Sequence, residues 1–228
     1  MKKLLIGSTG LIGNVLKQHL EFDTQVHSTN IQSITQQSFD VAICAAPSSN
    51  RIIALQQPEV DTASVEKLAN YIAQAKIKKM ILISSCDTQV RPDSAYGKNR
   101  LWLESFVKSH FDRCAIIRLP ALIDRTITKN ILYDLKNRTF LHKLNPHLYM
   151  QWYPLQELPM YINKIINEPN VEINLCSEPI GNWEIIEKFV PELKSEINYD
   201  QDLGPVYNLQ PYSYRRNDIF QYIQEYFQ

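Results

Sequence analysis

The chain has 228 residues, of which 44% are hydrophobic, and its 24 Lys and Arg residues balance its 24 Asp and Glu residues to a net charge of zero. This length is enough for one large α/β domain, or for one domain with a small appendage. The charge balance gives no basic surplus that would indicate a nucleic-acid partner, and no apolar run is long enough to span a bilayer, so we expect neither partner.

The cysteine and histidine residues show no pattern of metal ligands or disulfides. The four cysteines lie far apart without a Cys-x-x-Cys pair, at Cys44, Cys86, Cys114 and Cys176. Three of them fall in apolar, strand-like runs, so we interpret them as reduced core residues of a cytoplasmic protein. The five histidines have no metal-ligand spacing either, and no metal is expected.

The first predicted elements are a strand, a glycine-rich turn and a helix. Met1–Ile6 is apolar, Gly7–Gly13 has the sequence Gly-Ser-Thr-Gly-Leu-Ile-Gly, and Asn14–Leu20 is typical of a helix. This order makes the phosphate cradle of a dinucleotide-binding unit, in which glycines allow a sharp turn, a close pyrophosphate and tight helix packing. The helix N-terminus supplies N–H groups for the phosphates. The predicted cofactor contacts here are Gly7, Thr9, Gly10, Leu11, Ile12 and Gly13.

Gln25–Ser28 is predicted to be a second, weaker strand. In dinucleotide-binding folds an acidic residue at the end of this strand usually holds the hydroxyls of the adenine ribose. The residues at that position are Ser28, Thr29 and Asn30, which include neither an acid typical of NAD binding nor an arginine typical of NADP binding. Ser28 and Asn30 are therefore the candidate ribose contacts. The cofactor is predicted to be NAD or NADP, with NADP slightly favoured because no acid would repel a 2′-phosphate.

Buried strands and amphipathic helices then alternate. Phe39–Pro47 is an apolar strand that ends in small residues, and Ser48–Gln57 is polar with no regular structure predicted. Glu59–Lys76 has the apolar period of an amphipathic helix, and Lys79–Ser85 is another buried strand. Repeated strand-helix-strand units of this kind favour a parallel sheet with right-handed crossovers.

A tyrosine motif follows the predicted loop Cys86–Val90. Tyr96–Glu104 has the sequence Tyr-Gly-Lys-Asn-Arg-Leu-Trp-Leu-Glu and is predicted to be helical. Residues four apart share a helix face, so Tyr96 and Arg100 can both point at one ligand. Lys98, two residues after the tyrosine, faces elsewhere.

The glycine turn and the tyrosine motif together resemble the extended, nucleotide-sugar-modifying branch of the short-chain dehydrogenase/reductase superfamily. Tyr96, Gly97 and Glu104 match its Tyr-Gly-x-x-Lys-x-x-x-Glu pattern, with Arg100 at the lysine position. The resemblance covers most of the chain and is strongest to about Ile123. It implies a Rossmann-type doubly wound parallel sheet in one domain over residues 1–228, with a small C-terminal substrate lobe.

The resemblance also implies catalytic roles. Tyr96 would exchange a proton with a substrate hydroxyl or carbonyl, while Arg100 would hold the nicotinamide ribose with a planar fork in place of an ammonium. Cys86 stands at the position of the Ser or Thr that hydrogen-bonds the reacting oxygen, and a thiol is a weak donor. Ser84 or Thr88 could take over if the segment is extended, because they would then share its face.

Further cofactor contacts follow from the resemblance. Ala45 and Ala46 would let a cofactor ribose pass close to the strand end, and Pro120, at the end of the strand Cys114–Pro120, would border the nicotinamide. The C-terminal part is shorter than usual in this branch, so a reduced substrate lobe is expected from roughly residue 124 to 228. The remaining predicted elements are a helix at Thr126–Lys136, a helix within Gln151–Ile166, a strand over Val171–Ile180, and helices at Trp183–Val190 and Tyr214–Phe227.

Two classes of function follow. The first is an NAD(P)-dependent oxidoreductase that acts on a nucleotide-linked or related sugar as a keto-sugar reductase, an epimerase or a dehydratase. The second is a catalytically weak or inactive dinucleotide-binding protein with a regulatory or assembly role. Tyr96 with a cationic neighbour favours the enzyme, whereas Cys86 and the reduced lobe favour the second class. We favour a cytoplasmic enzyme with a sugar-nucleotide substrate, and a homodimer is left open.

Overall fold

The computed structural model describes residues 1–200, 204 and 206–228. The chain divides into two compact units. The first consists of Met1–Arg118 and Gln156–Ile173, and the second of Leu119–Leu155 and Asn174–Gln228. The chain therefore leaves the first unit near the end of one strand and later returns to it for one helix and most of another strand.

Strands and helices alternate along the first half of the described chain. The strands are β1 (Lys3–Ile6), β2 (Thr24–Val26), β3 (Ser38–Cys44), β4 (Lys76–Ser85), β5 (Cys114–Leu119), β6 (Ala121–Ile123), β7 (Tyr149–Met150), β8 (Trp152–Pro154), β9 (Val171–Asn174), β10 (Cys176–Ser177), β11 (Ile180–Gly181) and β12 (Tyr212–Tyr214). The α-helices are α1 (Leu11–His19), α2 (Arg51–Gln56), α3 (Pro58–Ala73), α4 (Asp87–Val90), α5 (Ala95–His110), α6 (Ile131–Asn137), α7 (Leu158–Ile165), α8 (Asn182–Phe189) and α9 (Arg216–Phe227). Short 3₁₀ turns lie at Ile31–Ile34, Leu141–Lys143, Leu155–Glu157 and Pro191–Glu196.

A six-stranded sheet in the order β2-β1-β3-β4-β5-β9 forms the centre of the first unit. Strand β1 pairs in parallel with both β2 and β3, and β3 pairs in parallel with β4. The strand order reverses at β1, because the chain passes to β2 on one side and then crosses to β3 on the other. Doubly wound sheets bind ligands at such a switch point, outside the carboxyl ends of the strands. The predicted Rossmann-type doubly wound parallel sheet is confirmed.

Both faces of this sheet are buried. Leu4 and Ile6 belong to one core cluster with Val65 of α3 and Leu103 of α5. Leu5 lies between them on β1, faces the opposite side of the sheet, and is also fully buried. A strand that is buried on both faces has a continuous run of apolar residues in its sequence. The strand positions could therefore be predicted from such runs.

The prediction that Ser48–Gln57 lacks regular structure is wrong, because Arg51–Gln56 forms α2. Asn50 caps this helix, and its side-chain oxygen accepts hydrogen bonds from the backbone N–H groups of Ile52 and Ile53 at 3.1 Å. Only one residue of α2 is buried, so the segment carries no amphipathic period. The signal that was available is the asparagine at the cap position.

The second unit contains short strand pairs. Among its described residues, β6 pairs with β8 and β10 with β12 in parallel, and β7 pairs with β11 antiparallel. The single strand predicted over Val171–Ile180 is wrong, since it is divided into β9, β10 and β11. Pro179 separates the last two because it has no N–H for a strand ladder. The predicted helix at Thr126–Lys136 begins only at Ile131, where Asn130 caps α6.

A buried ion-pair network attaches α5 to the sheet of the first unit. Glu104 of α5 is fully buried and accepts hydrogen bonds from the Ser84 hydroxyl at 2.6 Å and from Arg118 Nη2 at 2.5 Å. Arg118 also pairs with Glu172 of β9 at 2.5 Å, and Glu172 pairs with Lys108 at 3.0 Å. Strands β4, β5 and β9 are thereby all connected to the helix that carries the tyrosine motif.

The outer carboxylate of this network makes stability depend on pH. The hydrogen bond from Arg118, followed by that from Lys108, holds the pKa of Glu172 below its ordinary value of 4.5. A lowered carboxyl pKa stabilises the fold above the unfolded-state value, and this contribution is lost as the pH falls through the folded-state value. We expect Glu172→Gln to lower the free energy of unfolding at pH 7 and to reduce its dependence on pH in the acid range.

Urea denaturation at about pH 7 and about pH 3 measures this effect. Glu66→Gln is the matched control, because Glu66 is exposed on α3. A loss for Glu172→Gln that is equal at both pH values would contradict the assignment.

Candidate functional site

The glycine turn lies between β1 and α1 at the switch point of the sheet. Gly7 has a φ of +92°, and a Cβ there would lie 2.6 Å from the carbonyl carbon of Ala45 and 2.7 Å from Cα of Ala46. A Cβ at Gly13 would lie 2.1 Å from the carbonyl oxygen of Gly7. The fold itself therefore requires glycine at both positions, since side chains there would clash with backbone and strain the turn.

Gly10 differs from the other two glycines of the turn. Its φ of −76° and ψ of 169° are extended values that any residue adopts. A Cβ there would meet only the Gly7 carbonyl oxygen, at an ordinary contact distance of 3.6 Å. Gly10 is also the N-cap of α1 and offers no side chain to its N–H groups. The space beside the helix N-terminus is thus left open, and it fits a pyrophosphate close to the backbone.

The carboxyl ends of three neighbouring strands bring the other predicted cofactor contacts to this turn. Ile6 is in register with Val26 on one side and with Cys44 on the other, so Gly7, Ser28 and Ala45 all follow the same sheet edge. The backbone N–H of Gly7 donates to the Val26 carbonyl at 2.8 Å, and that of Ala45 to the Ile6 carbonyl at 2.8 Å.

The candidate cofactor contacts near this edge differ in their exposure and in the hydrogen bonds that they make within the protein. Ser28 is exposed, and so is Thr9, whose carbonyl accepts from Asn14 at 3.2 Å. Asn30 closes a turn, since its side-chain oxygen accepts from the His27 N–H at 2.7 Å. Leu11 and Ile12 are half-buried in the first turn of α1, and Ala46 is half-buried after β3.

Tyr96 and Arg100 contact each other on one face of α5. Ser94 begins this helix by accepting a hydrogen bond from the Gly97 N–H at 3.0 Å. Tyr96 is 9% exposed. Cζ of Arg100 lies 4.4 Å from the ring centroid, within the range of a cation–π contact. The guanidinium of Arg100 therefore lies against the tyrosine ring.

Arg100 is an ion-paired residue rather than an isolated cation. Its side chain is 2% exposed, and Nη2 donates to Asp61 Oδ1 at 3.1 Å and to the carbonyl oxygen of Ser48. Nε and Nη1 are buried and have no partner within the described part of the chain. Buried donors without acceptors are rare, because leaving them unsatisfied costs about 1–3 kcal/mol each. Hydroxyl groups of a bound ribose would supply such acceptors.

Arg51 of α2 is a residue near the site that the sequence did not reveal. Its Nε and Nη2 bind the carboxylate of Asp87 at 2.5 and 2.8 Å, and the Asp87 side chain is 3% exposed. Cζ of Arg51 lies 5.9 Å from the Tyr96 ring centroid. Arginines from two helices thus lie near one tyrosine ring, and each is paired with a buried aspartate. The cap residue Asn50 was the sequence signal that could have located α2 and Arg51.

The segment after β4 is not extended. An extended segment was the condition under which Ser84 or Thr88 could replace Cys86 as the hydrogen-bond donor to the reacting oxygen. Cys86, with φ −60° and ψ −16°, is the N-cap of α4 (Asp87–Val90), so the predicted loop is in part helical. Ser84 donates its hydroxyl hydrogen to Glu104 at 2.6 Å, and Thr88 donates to the carbonyl of Ser85 at 2.9 Å. Both hydroxyl hydrogens are thus used within the fold. Cys86 is 5% exposed, and its role remains a prediction.

Other features bear on the chemistry of the chain. Its four cysteines are buried and none forms a disulfide; burial raises the pKa of the Cys44 thiol to about 12, so this group stays protonated at neutral pH. Within the described ranges, no His, Cys, Asp or Glu side chains group as metal ligands, and no helix has the length and apolar character to cross a bilayer. Pro120 follows β5 directly and belongs to the second unit.

Comparisons with known proteins identify the fold. No protein-family model matches the chain, and no curated protein matches its sequence. The enzyme WbmG of Bordetella bronchiseptica, solved in complex with NAD, is similar with a TM-score of 0.72 at 12% identity, over 92% of this chain and 85% of WbmG. A dTDP-4-dehydrorhamnose reductase of Clostridium acetobutylicum gives a TM-score of 0.65 at 18% identity, over 97% of this chain and 92% of the reductase.

A third solved structure is the UDP-glucose 4-epimerase of Thermotoga maritima with UDP-glucose. Its TM-score is 0.65 at 15% identity, over 95% of this chain and 86% of the epimerase. Identities this low establish the fold and not the activity. The comparisons thus agree with the Rossmann-type architecture predicted from the sequence.

The structure predicts that alanine destabilises the protein more at position 13 than at position 10. We expect Gly13→Ala to destabilise the protein by about 1–3 kcal/mol, because the clash with backbone outweighs the roughly 1 kcal/mol gain in helix propensity. Gly10→Ala should cost less than about 1 kcal/mol, the difference between glycine and alanine at an N-cap. Thermal unfolding of the two variants tests the difference, and an equally destabilised Gly10→Ala would show that the fold requires this glycine too.

Proposed function

We propose that this protein is an NAD(P)-dependent oxidoreductase of the extended short-chain dehydrogenase/reductase superfamily. Its substrate is a nucleotide-linked or related sugar, and its reaction that of a keto-sugar reductase, an epimerase or a dehydratase. The observation that carries the proposal is the open space at Gly10, beside an uncapped helix N-terminus and between two glycines that packing does require. Proteins of the same fold support it, since WbmG was solved with NAD and the Thermotoga maritima epimerase with UDP-glucose.

The residues of the first unit fit a nicotinamide dinucleotide, which supplies the hydride donor or acceptor when bound. Gly10 and the first N–H groups of α1 would hold the pyrophosphate. Ser28 and Asn30 would contact the adenine ribose, and the lack of an acid there favours NADP over NAD. The buried N–H groups of Arg100 would bind the hydroxyls of the nicotinamide ribose. We further propose that residues from roughly 124 to 228 provide the substrate lobe.

Tyr96 is the proposed general acid and base. Its hydroxyl would donate a proton to a substrate oxygen or accept one from it, beside the guanidinium of Arg100. Arg100 is the proposed binding and orienting residue beside Tyr96 and does not relay the proton. Cys86 remains the proposed contact to the reacting oxygen, because the hydroxyl hydrogen of Ser84 is donated to Glu104.

One observation favours a second candidate function, a dinucleotide-binding protein without turnover and with a regulatory or assembly role. The hydroxyl of Ser84 is used by Glu104, and Cys86 offers only a weak donor in place of a hydroxyl. The two candidates share the dinucleotide site and differ only in turnover. Binding therefore supports both, and assays with keto-sugar nucleotides separate them.

Calorimetry with NAD and NADP tests the shared part of the proposal. We expect the unaltered protein to bind at least one of them, and Gly10→Leu to lower the affinity at least about tenfold, or about 1.4 kcal/mol, by filling the pyrophosphate space. Circular dichroism of Gly10→Leu verifies that the fold persists. Absence of binding of both dinucleotides to the unaltered protein would refute the proposal, and a clear preference for NAD would overturn the preference for NADP.

Turnover of UDP- and dTDP-linked 4-keto-sugars tests the role of Tyr96. We expect Tyr96→Phe to reduce kcat by about 10²–10⁴-fold, because the proton donor is lost. Its dinucleotide affinity should stay within about twofold of the parent, or about 0.4 kcal/mol. Tyr71→Phe on α3 is the matched control. Unchanged turnover in Tyr96→Phe would exclude the acid–base role, and binding without turnover in the parent would favour the second candidate.

A further inference from the structure

Two arginine–aspartate pairs lie beside the Tyr96 ring, and they differ in burial. Arg51 and Asp87 form a pair whose arginine side chain is 49% exposed. Arg100 and Asp61 form a pair whose side chains are 2% and 3% exposed. Only the second pair is removed from solvent on both sides, so its charges depend on each other for compensation.

Asp61 of α3 is held in place by two neighbouring residues of α5. Its Oδ1 accepts from Arg100, and its Oδ2 accepts from Asn99 Nδ2 at 2.8 Å. The Asn99 side-chain oxygen in turn accepts from the Thr62 hydroxyl at 3.1 Å. Neighbouring residues of α3 therefore bind neighbouring residues of α5, which leaves the carboxylate little freedom to move. A fixed carboxylate in turn fixes the plane of the guanidinium that it binds.

Two hydrogen-bond donors of Arg100 have no acceptor among the described residues, which a purely structural ion pair does not explain. Nη2 makes both of the hydrogen bonds, to Asp61 and to the Ser48 carbonyl, while Nε and Nη1 are buried without a partner in the described part of the chain. A buried arginine that only stabilised the fold would be expected to fill its donors. The unfilled donors belong to the group that lies 4.4 Å from the Tyr96 ring centroid.

We propose that Asp61 is a positioning residue of the candidate site. Its carboxylate, fixed by Asn99, orients the guanidinium of Arg100 against the Tyr96 ring and compensates its charge. Arg100 would then donate hydrogen bonds to a bound dinucleotide, while the Arg100–Asp61 pair carries no net charge. A pair without net charge suits the neutral hydroxyls of a ribose better than a charged phosphate. The ligand in this inference rests on the proposed function, whereas the orientation of Arg100 by Asp61 does not.

Fluorine NMR tests the orientation without any cofactor. The protein is labelled with 3-fluorotyrosine, and the Tyr96 resonance is assigned with Tyr96→Phe. Because the guanidinium lies against this ring, Asp61→Asn should shift the Tyr96 resonance. Asp40→Asn is the matched control, since it removes a carboxylate that pairs with Lys78 at 2.7 Å on the surface. An unshifted Tyr96 resonance in folded Asp61→Asn would overturn the proposal.

Asn99→Ala covers the case in which Asp61→Asn does not fold. It retains the carboxylate and removes the contact that fixes it. We expect it to shift the Tyr96 resonance, although less than Asp61→Asn. An unshifted resonance in this variant would overturn the proposal in the same way.

Dinucleotide affinity tests the consequence for the site. Asp61→Asn should weaken binding about tenfold in the parent but less than about threefold in an Arg100→Lys background, because an ammonium has no planar fork to orient. Equal losses in both backgrounds would show that Asp61 does not act through Arg100. If the unaltered protein binds neither dinucleotide, the proposed function fails while the fluorine result still decides the role of Asp61. If it binds and Asp61→Asn changes neither readout, only the present inference fails.

Discussion

The buried carboxylate of Glu104 is the contact on which the candidate catalytic residues depend. It accepts hydrogen bonds from Ser84 on β4 and Arg118 on β5, and so attaches α5 to these two strands of the sheet. Breaking a buried pair of this kind costs about 3–5 kcal/mol, since the remaining charge is left uncompensated. Tyr96, Asn99 and Arg100 lie on the same helix, so their positions relative to the sheet follow from this attachment.

The candidate site combines a glycine turn of standard geometry with a tyrosine region that departs from the sequence pattern it resembles. At the switch point, two glycines are required by packing, and the third leaves open space beside a helix N-terminus, as a pyrophosphate needs. Around Tyr96, an arginine replaces the lysine of the pattern and is paired with a buried aspartate. The first region supports the proposed dinucleotide binding. In the second, the proposed catalysis takes place beside a cation whose charge is compensated by Asp61.

Much of the fold could be predicted because its signals are local. Continuous apolar runs mark strands buried on both faces, and the amphipathic period marks α3. The helices α2 and α4 were missed because they are short and depend on side-chain contacts at their first residues, such as the cap by Asn50. A cap is a single residue, so it carries less signal than a period repeated over many residues.

The sequence by itself determined the glycine turn, the alternation of strands and helices along the first half of the chain, and the placement of Tyr96 and Arg100 on one helix face, because these follow from spacing along the chain. Only the tertiary structure decided which partners the polar side chains take. Arg100 and Asp61 are 39 residues apart, and Arg51 and Asp87 are 36 apart. Such pairs form where packed helices and loops bring distant side chains within hydrogen-bond distance, and no local pattern encodes that approach.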